Sequence, residues 1–201
     1  MATFTENHGQ WPQQVLFRAL FPGGAVFVEK NALTYLLVKG GPLEHHGDHA
    51  EHPITPFVAH AYRVTFEGAQ GGTPHGGLKQ PQYENFFLGN DPAHWGVHCG
   101  VFGEVWVKGL YPGIDLHFDG RKGLKYELMV APQADPGSIR MHFEGQDDVA
   151  LVNGRLVVTT SAGRITEEAP VSYVSLFDGI DNERLPVSSS AKGASALSGR
   201  A

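Results

Sequence analysis

Residues 149–170, VALVNGRLVVTTSAGRITEEAP, contain short runs in which apolar and polar residues alternate, separated by two turn signals. Alternation with a period of two is typical of β-strands that have one buried face. Asn153-Gly154 lies between the first two runs, and both residues tolerate the positive φ of a type I′ hairpin turn. Ala162-Gly163 marks the next turn. The stretch therefore predicts a small antiparallel meander.

The same alternation recurs along most of the chain, and no stretch favours a helix. A content of 26 glycines and 13 prolines in 201 residues is typical of a turn-rich protein with few long helices. The predicted strands cover residues 25–28, 33–38, 61–66, 101–107, 114–118, 124–130, 139–143, 155–159 and 164–168. We therefore expect an all-β protein.

Two sequence patterns occur twice, which suggests an internal duplication. They are L-x-Y-x-L at 33–37 and 124–128, and R-x-x-F-E-G at 63–68 and 140–145. A duplication predicts two related β-sandwich-like lobes, at about 4–100 and 101–187, within one all-β domain at 1–187. Residues 25–68 and 114–145 would then share one strand topology. The alternative is coincidence, because aromatic residues and glycines recur at strand ends in β proteins.

The end of the chain has a different composition. Residues 188–201 are small, polar and aperiodic, which predicts a flexible low-complexity tail. The folded part is expected to end near Val187.

Charge and composition exclude several classes of function. The net charge is −6, and the 15 basic residues are thinly spread, so we expect no nucleic-acid partner and no docking to an anionic membrane. No apolar run reaches the roughly 20 residues of a membrane-spanning helix, and the first residues, MATFTENHGQW, lack the features of a secretory signal. The single cysteine, Cys99, excludes an intrachain disulfide.

The stretch LEHHGDHAEHP at 43–53 is the candidate metal site. Its histidines, His45, His46, His49 and His52, are suitable ligands for zinc or copper. Prolines 42 and 53 and Gly47 oppose a helix that would fix these side chains on one face. Two interpretations remain open: a specific metal site, or a solvated loop that binds metals weakly.

Carboxylates offer two further possibilities. A pair facing each other across a cleft would suit glycoside hydrolysis, and the candidates are Asp115, Asp119, Glu127 and Glu144. Strand carboxylates more often lie on a solvated sheet face. The turns at 90–92, 134–137 and 178–183 contain Asp residues that could bind calcium or cap their own turns. A Cys99–His98 nucleophile pair is disfavoured, because adjacent strand residues point to opposite faces.

Aromatic side chains are the candidate ligand-binding residues. Trp11, Trp95, Trp106 and Tyr111, together with Phe87, could stack on sugar rings if they lined an exposed groove. The alternative is that they belong to the core, where large aromatic side chains are commonly buried.

Several motifs together resemble a family domain. They are E-N-x-G-Q-W at 6–11, N-F-x-x-G-N-D-P at 85–92, L-Y-P-G-I-D-L at 110–116 and D-P-x-x-I at 135–139. The chain resembles, over about residues 4–178, the N-terminal domain of unknown function of bacterial secreted or surface proteins with β-propeller-type SBBP repeats. The resemblance implies a secreted, all-β, non-catalytic module. Two features depart from that pattern: no signal peptide is present, and a low-complexity tail stands where repeats usually follow.

We therefore expect a non-catalytic extracellular or cell-surface module for binding or assembly, without a cofactor. Its partner would be a glycan, a partner domain or a second copy of the chain. The alternatives are a polysaccharide-acting hydrolase and a metal-binding protein that uses the histidine-rich stretch, with zinc, copper or calcium as the possible ions.

Overall fold

The computed structural model describes residues 1–40, 57–121, 123–175 and 184–186. Within these ranges the regular structure consists of strands and two short 3₁₀ turns, Pro92–His94 and Pro136–Ser138, and there is no α-helix. No helix in this part of the chain is long and apolar enough to span a bilayer. The prediction of an all-β protein is confirmed.

Ten strands belong to one large antiparallel sheet. They are β1 (Phe4–Glu6), β2 (Phe17–Phe21), β3 (Gly24–Val28), β4 (Ala32–Lys39), β5 (Val58–Phe66), β6 (Thr73–Phe86), β7 (Gly96–Tyr111), β8 (Ile114–Asp119), β9 (Lys125–Val130) and β10 (Met141–Glu144). Their order is β10-β5-β4-β3-β2-β1-β7-β8-β9, and β6 pairs with β7 outside this path. The sheet curls into a half-barrel.

The remaining strands form two small sheets. The three-stranded sheet contains β11 (Asp148–Val152), β12 (Arg155–Thr160) and β13 (Gly163–Glu167), in that order. A two-stranded ribbon contains β14 (Tyr173–Ser175) and β15 (Arg184–Pro186). The predicted meander at 149–170 is therefore confirmed as the three-stranded sheet, and Asn153 and Gly154 have the positive φ values, 51° and 79°, that its first turn requires.

Proline-glycine pairs form two of the tight hairpin turns of the large sheet. Pro22-Gly23 joins β2 to β3, and Pro112-Gly113 joins β7 to β8. Proline fixes φ at the first turn position, and glycine accepts the positive φ at the second, which is 83° at Gly23 and 70° at Gly113. These turns set the register in which the adjacent strands bury alternate residues.

The hydrophobic core lies on the inner face of the half-barrel. On β4, Leu33, Tyr35 and Leu37 are buried, while the residues between them are half-exposed. Other strands contribute Phe4, Phe66, Val105, Leu116 and Phe118 to the same cluster. Val158 of β12 and Ala162 of the β12–β13 turn also belong to it, so this sheet packs against the half-barrel interior.

Two polar contacts fasten the three-stranded sheet to the half-barrel. The Tyr126 hydroxyl of β9 donates to Glu167 Oε2 of β13 at 2.8 Å. His60 of β5 accepts a hydrogen bond from the Ser161 N–H at Nδ1, and its Nε2 lies 2.6 Å from the Gly145 carbonyl oxygen. Burial raises the pKa of Glu167.

The two sandwich-like lobes expected at 4–100 and 101–187 are not seen. β7 runs without interruption across the expected boundary, and it pairs with β1 from the first half and β8 from the second. At the other end of the sheet, β5 pairs with β10. Strands from both halves therefore share one sheet and one core.

The structure does not show an internal duplication either. β3, β4 and β5 pair consecutively, whereas β10 leaves β9 and pairs with β5. The two R-x-x-F-E-G segments are antiparallel neighbours, with Arg63 opposite Glu144 and Val64 opposite Phe143. Phe66 and Phe143 are both buried. Both segments lie on neighbouring strands and bury a phenylalanine in the same core, which is a physical reason for their similar sequences.

Some predicted features lie outside the described residues. They are the histidine-rich stretch at 43–53, the turn at 178–183 and the tail at 188–201.

Candidate functional site

The end of the β6–β7 hairpin meets the loop that follows β1, and together they form the candidate site. We call this region, residues 83–98 with residues 7–16, the hairpin-tip surface. The Trp11 ring contacts the Phe86 ring at a centroid distance of 5.2 Å, and His8 Nδ1 lies 2.9 Å from the Val97 carbonyl oxygen. Side chains from the loop therefore touch both strands of the hairpin.

Asn7 gives the loop its shape. Its side-chain amide donates to the carbonyl oxygens of Trp11, Pro12 and Val15. Its side-chain oxygen accepts from the N–H groups of Gly9 and Trp11. Asparagine is suited to this position because its short amide bonds to nearby backbone groups of both kinds. The Asn7 side chain thus joins backbone groups from both ends of the loop.

A buried polar layer lies beneath the loop. Gln10 is buried; its amide donates to the Glu6 carbonyl oxygen, and its Oε1 accepts from the His8 N–H. Glu6 Oε1 accepts from the Gly100 N–H on β7 at 2.8 Å. These contacts satisfy groups that would otherwise be buried without partners, and they join the loop to the hairpin.

A 3₁₀ turn closes the hairpin. Asp91 caps it by accepting from the Ala93 N–H, and proline follows at the first turn position. Trp95 donates from Nε1 to the Gly89 carbonyl oxygen and meets the Phe87 ring edge-on at 5.3 Å. Trp95 is therefore half-buried and fixed in place.

Arg18 covers the Trp11 side of the surface. Its guanidinium carbon lies 4.6 Å from the Trp11 ring centroid and 5.1 Å from that of Phe86. Glu84 lies 3.8 Å from its NH2 atom. Burial lowers the pKa of Arg18, and Glu84 opposes this effect, so the side chain remains a cation above the rings.

Large apolar side chains remain uncovered at the same end of the hairpin. Phe87 is 62% exposed, Tyr83 55%, and Leu88 and Val97 47% each. The centroid of the Tyr83 ring lies 4.7 Å from the centroid of the His98 ring. These exposed apolar residues make the hairpin tip the candidate for a binding surface.

A shallow depression borders the loop. It has a volume of about 560 Å³, and its lining includes Trp11, Pro12, Val15, Leu16 and His94. Its lining combines these apolar side chains with the polar Asn7, Gln10 and Gln13.

A second surface, which we call the charged band, lies further along the β7–β8 hairpin. It contains Glu104, Trp106, Lys108, Asp115 and His117. The His117 ring stacks on the Trp106 ring at 3.9 Å, and Lys108 Nζ lies 3.9 Å from the same ring centroid. Both side chains contact the indole directly, so polar neighbours occupy the space around the Trp106 ring that a stacking ligand would need.

Three of the four hydrolase candidates are in or beside the charged band, but each has a cationic partner. Burial opposes ionisation of Asp115, yet hydrogen bonds from Lys108 and the Gly109 N–H outweigh it and lower its pKa. Hydrogen bonds from Arg121 lower the pKa of Asp119 to about 2. Glu127 lies 3.3 Å from Lys125. The lowered pKa values of Asp115 and Asp119 keep both as carboxylates at neutral pH, which does not suit a general acid.

The fourth candidate, Glu144, is exposed on β10, at the opposite end of the sheet path. Tyr111 is 2% exposed, and its hydroxyl lies within hydrogen-bond distance of the Glu67 and Arg140 carbonyl oxygens. It is a core residue and does not offer a ring to a ligand.

Cys99 and the His, Asp and Glu residues that the structure describes were also considered as a reactive or metal-binding centre. Cys99 is buried, which raises its pKa, and His98 beside it is exposed. Within the described ranges, no group of three or more His, Cys, Asp or Glu side chains could hold a metal ion. The four histidines of the metal prediction lie in the undescribed stretch, so that prediction stays untested.

A family model described as "Domain of unknown function (DUF7948)" matches residues 4–192. The chain belongs to this family. In this DUF7948 domain, the E-N-x-G-Q-W motif at 6–11 and the N-F-x-x-G-N-D-P motif at 85–92 meet in the hairpin-tip surface. No match was found among curated proteins, and none among solved structures.

Sequence reasoning found part of this site. Trp11, Trp95 and Phe87 were candidates, and the structure brings them to one end of the DUF7948 domain. It did not identify Arg18, Tyr83, Leu88 or Val97. The exposed apolar pair Phe87-Leu88 directly before Gly89 was the available signal, since apolar residues beside a turn glycine are often solvent-facing at a hairpin end.

Proposed function

We propose that this domain is a non-catalytic binding module that docks a protein partner on the hairpin-tip surface. One observation carries the proposal: Tyr83, Phe87, Leu88 and Val97 are each 47% to 62% exposed at one end of one hairpin. Burying apolar surface is the main driving force of protein association, at about 25 cal/mol for each Å². The fixed loop and capped turn beneath them hold the surface in one shape, which lowers the entropic cost of docking.

A glycan partner is supported less well. Sugar rings bind on the open faces of aromatic rings, and here Arg18 lies over Trp11 while His117 and Lys108 cover Trp106. The aliphatic side chains Leu88 and Val97 suit an apolar protein surface better than a hydroxyl-rich sugar.

Docking through side chains is also favoured over pairing at a strand edge. β6 is a long strand whose pairing partner in the large sheet is β7. It contains Pro74 and Pro81, which lack the N–H that a new strand would need, and Leu78 has a positive φ of 51°. Prolines and irregular backbone are typical protections of an edge against strand addition.

We place this activity at the cell surface or outside the cell, as the module of a bacterial secreted protein with SBBP-type repeats. The support is the resemblance of the four motifs quoted above. A hydrolase is a weaker proposal, because Asp115, Asp119 and Glu127 all pair with cations. A metal-dependent role would rest on the histidine-rich stretch.

The test is site-specific photocrosslinking. A benzophenone amino acid is introduced at position 87 and, as a matched control, at position 151, because Leu151 is 63% exposed on β11 of the separate three-stranded sheet. Both proteins are irradiated after purification and in the producing organism. Adducts are identified by mass spectrometry.

We expect one discrete protein adduct at position 87 and none at position 151, and we expect Leu88→Ser with Val97→Ser to abolish it. An adduct in the purified sample would identify a second copy as the partner. No adduct at 87, or equal adducts at both positions, would contradict the proposal. A glycan that binds the wild-type domain and the double variant equally well would also contradict it.

A further inference from the structure

Arg18 on β2 borders the hairpin-tip surface, and its guanidinium group is largely covered without being hydrogen-bonded. The side chain is 19% exposed, and its Nε atom is buried with no hydrogen-bond partner. The neighbouring Glu84 carboxylate lies 3.8 Å from NH2, which is beyond hydrogen-bond distance. Among the residues that the structure describes, none accepts a hydrogen bond from Arg18. This state is uncommon in folded proteins, because covered donors without acceptors lower stability.

Arg63 of β5 shows how an arginine that stabilises the same sheet is bonded. Its side chain is more exposed than that of Arg18, at 37%, yet its NH1 and NH2 atoms each donate to Glu29 at 2.7 Å. At Arg18 the nearby carboxylate is held elsewhere, since Glu84 Oε2 accepts from the Thr5 hydroxyl at 2.8 Å. The hydrogen-bonding capacity of Arg18 is therefore not used to hold the fold together.

A shallow depression lies beside this guanidinium. It has a volume of about 130 Å³, and its lining includes Thr3, Thr5, Arg18, Leu20 and Glu84. Leu20 is 58% exposed, so an apolar side chain flanks the charged groups. Arg18 also lies over the Trp11 and Phe86 rings of the hairpin-tip surface. One side chain thus belongs to both the depression and the docking surface.

We propose that Arg18 binds a carboxylate of the docked protein, so that the partner presents an Asp or Glu side chain beside its apolar contact residues. The identity of the partner rests on the proposed function, whereas the carboxylate site itself does not. The two oxygens of a carboxylate match two N–H groups of the planar guanidinium, and the charge makes both hydrogen bonds stronger than neutral ones. The depression has room for the end of one such side chain.

Glu84 is the group that opposes a second carboxylate. Its side chain is 42% exposed, so solvent screens its charge. At a separation of about 4 Å in water, two like charges repel enough to weaken binding about fivefold. Glu84→Gln removes this charge and keeps an oxygen that can accept from Thr5. The chain therefore offers a matched variant in which a carboxylate should bind more tightly.

The first experiment uses sodium acetate as the probe and the isolated wild-type chain. Acetate is titrated at constant ionic strength, with sodium chloride as the balancing salt, and the arginine Nε–H signals are followed by NMR. Arg164, which is exposed on β13, reports non-specific binding in the same sample. We expect the dissociation constant at Arg18 to be about tenfold lower than at Arg164. Acetamide and methylammonium chloride, the neutral and cationic probes, should leave the Arg18 signal unchanged.

Two variants distinguish a guanidinium site from a simple positive charge. Glu84→Gln should tighten acetate binding about fivefold, because the repulsion is removed. Arg18→Lys keeps the charge and lacks the planar fork, so acetate binding at position 18, followed there through the lysine Nζ signal, should fall to the level seen at Arg164. Unchanged amide shifts on β12 would show that each variant is folded.

The inference is overturned if acetate binds no more tightly at Arg18 than at Arg164, or if acetamide or methylammonium shifts the Arg18 signal equally. Acetate binding in Glu84→Gln alone would also overturn it, because Glu84 would then be the carboxylate that Arg18 serves. These results involve no partner, so they are separate from the crosslinking test. Acetate binding without a crosslinked protein would refute the proposed function and leave the carboxylate site, whereas a crosslinked protein without acetate binding would refute only this inference.

Discussion

The hairpin-tip surface and the charged band both include residues of β7, yet their aromatic rings have opposite environments. In the charged band, His117 and Lys108 cover the Trp106 ring, and Glu104 and Asp115 in turn bind those two side chains. At the hairpin tip, Phe87 and Leu88 have no such cover. The difference teaches that an aromatic residue on a sheet surface is available to a partner only when its polar neighbours leave it free.

The largest effect that this comparison predicts is on stability at Trp106. Trp106→Ala should lower the free energy of unfolding by about 2–3 kcal/mol, because a half-buried ring with a stacked imidazole and a cation is lost. Phe87→Ala should change it by less than about 0.5 kcal/mol. Chemical denaturation of both variants provides the measurement. Equal losses would show that the two surfaces have the same structural role.

The next largest effect on stability is expected in the loop that follows β1, which contacts the hairpin tip. Asn7→Ala removes the side chain that bonds both carbonyl and N–H groups of the loop, and we expect a loss of about 2 kcal/mol. Gln13→Ala, at an exposed position of the same loop, is the control and should be nearly neutral. Thermal unfolding would test this. An unchanged melting temperature for Asn7→Ala would mean that the Asn7 hydrogen bonds do not stabilise the loop.

Glu167 differs from the carboxylates in and beside the charged band. Its partner is the uncharged Tyr126 hydroxyl, whereas theirs are cations. Burial raises its pKa above the ordinary 4.5, so the folded chain holds this proton more tightly than the unfolded chain does. Stability from this group is present below pH 4.5 and is lost as pH rises through the folded-state pKa. Glu167→Gln should therefore stabilise the protein by about 1 kcal/mol at pH 7 and give no gain in acid.

The control for that variant is the adjacent Glu168→Gln. Glu168 is exposed and pairs with Arg155, so its replacement should leave stability nearly unchanged. Urea unfolding at pH 4 and pH 7 distinguishes the two residues. A Glu167→Gln gain that is the same at both values would contradict the assignment.

The smallest effect is expected at Asp119. Its pKa of about 2 in the folded state lies below the ordinary 3.8, so its contribution is present above pH 3.8 and is lost as pH falls through about 2. The pair is largely solvent-exposed on the arginine side, so Asp119→Asn should cost under about 1 kcal/mol at pH 7. Asp148→Asn serves as control. An NMR titration of the Asp119 carboxyl would check the pKa itself.

The local strands could be predicted from the sequence, whereas the pairing between distant strands could not. Each of the nine predicted strands overlaps an observed one, because alternation and turn residues are local signals. β6 was missed because Pro74, Gly76, Gly77 and Pro81 lower the strand signal, although all four are tolerated at an edge. The pairings of β1 with β7 and β5 with β10 depend on the whole core, and no local pattern indicates them.

For the candidate site, too, the sequence predicted local features but not contacts between distant residues. Trp11, Trp95 and Phe87 could be identified as large aromatic residues near turns, but whether their rings are covered depends on side chains from elsewhere in the chain. Arg18 reaches Trp11 from β2, and His117 reaches Trp106 from β8. Whether an aromatic ring is covered therefore depends on the tertiary structure.

The pairing of β5 with β10 also has a consequence for the order of events during synthesis. Strands β1 to β5 leave the ribosome well before residue 144, so the outer edge of β5 stays unpaired while the middle of the chain is made. Contacts between such distant segments form slowly, and an open strand edge invites association with other chains in the meantime. The last strand of the large sheet thus sets the moment at which the nascent protein stops being vulnerable to aggregation.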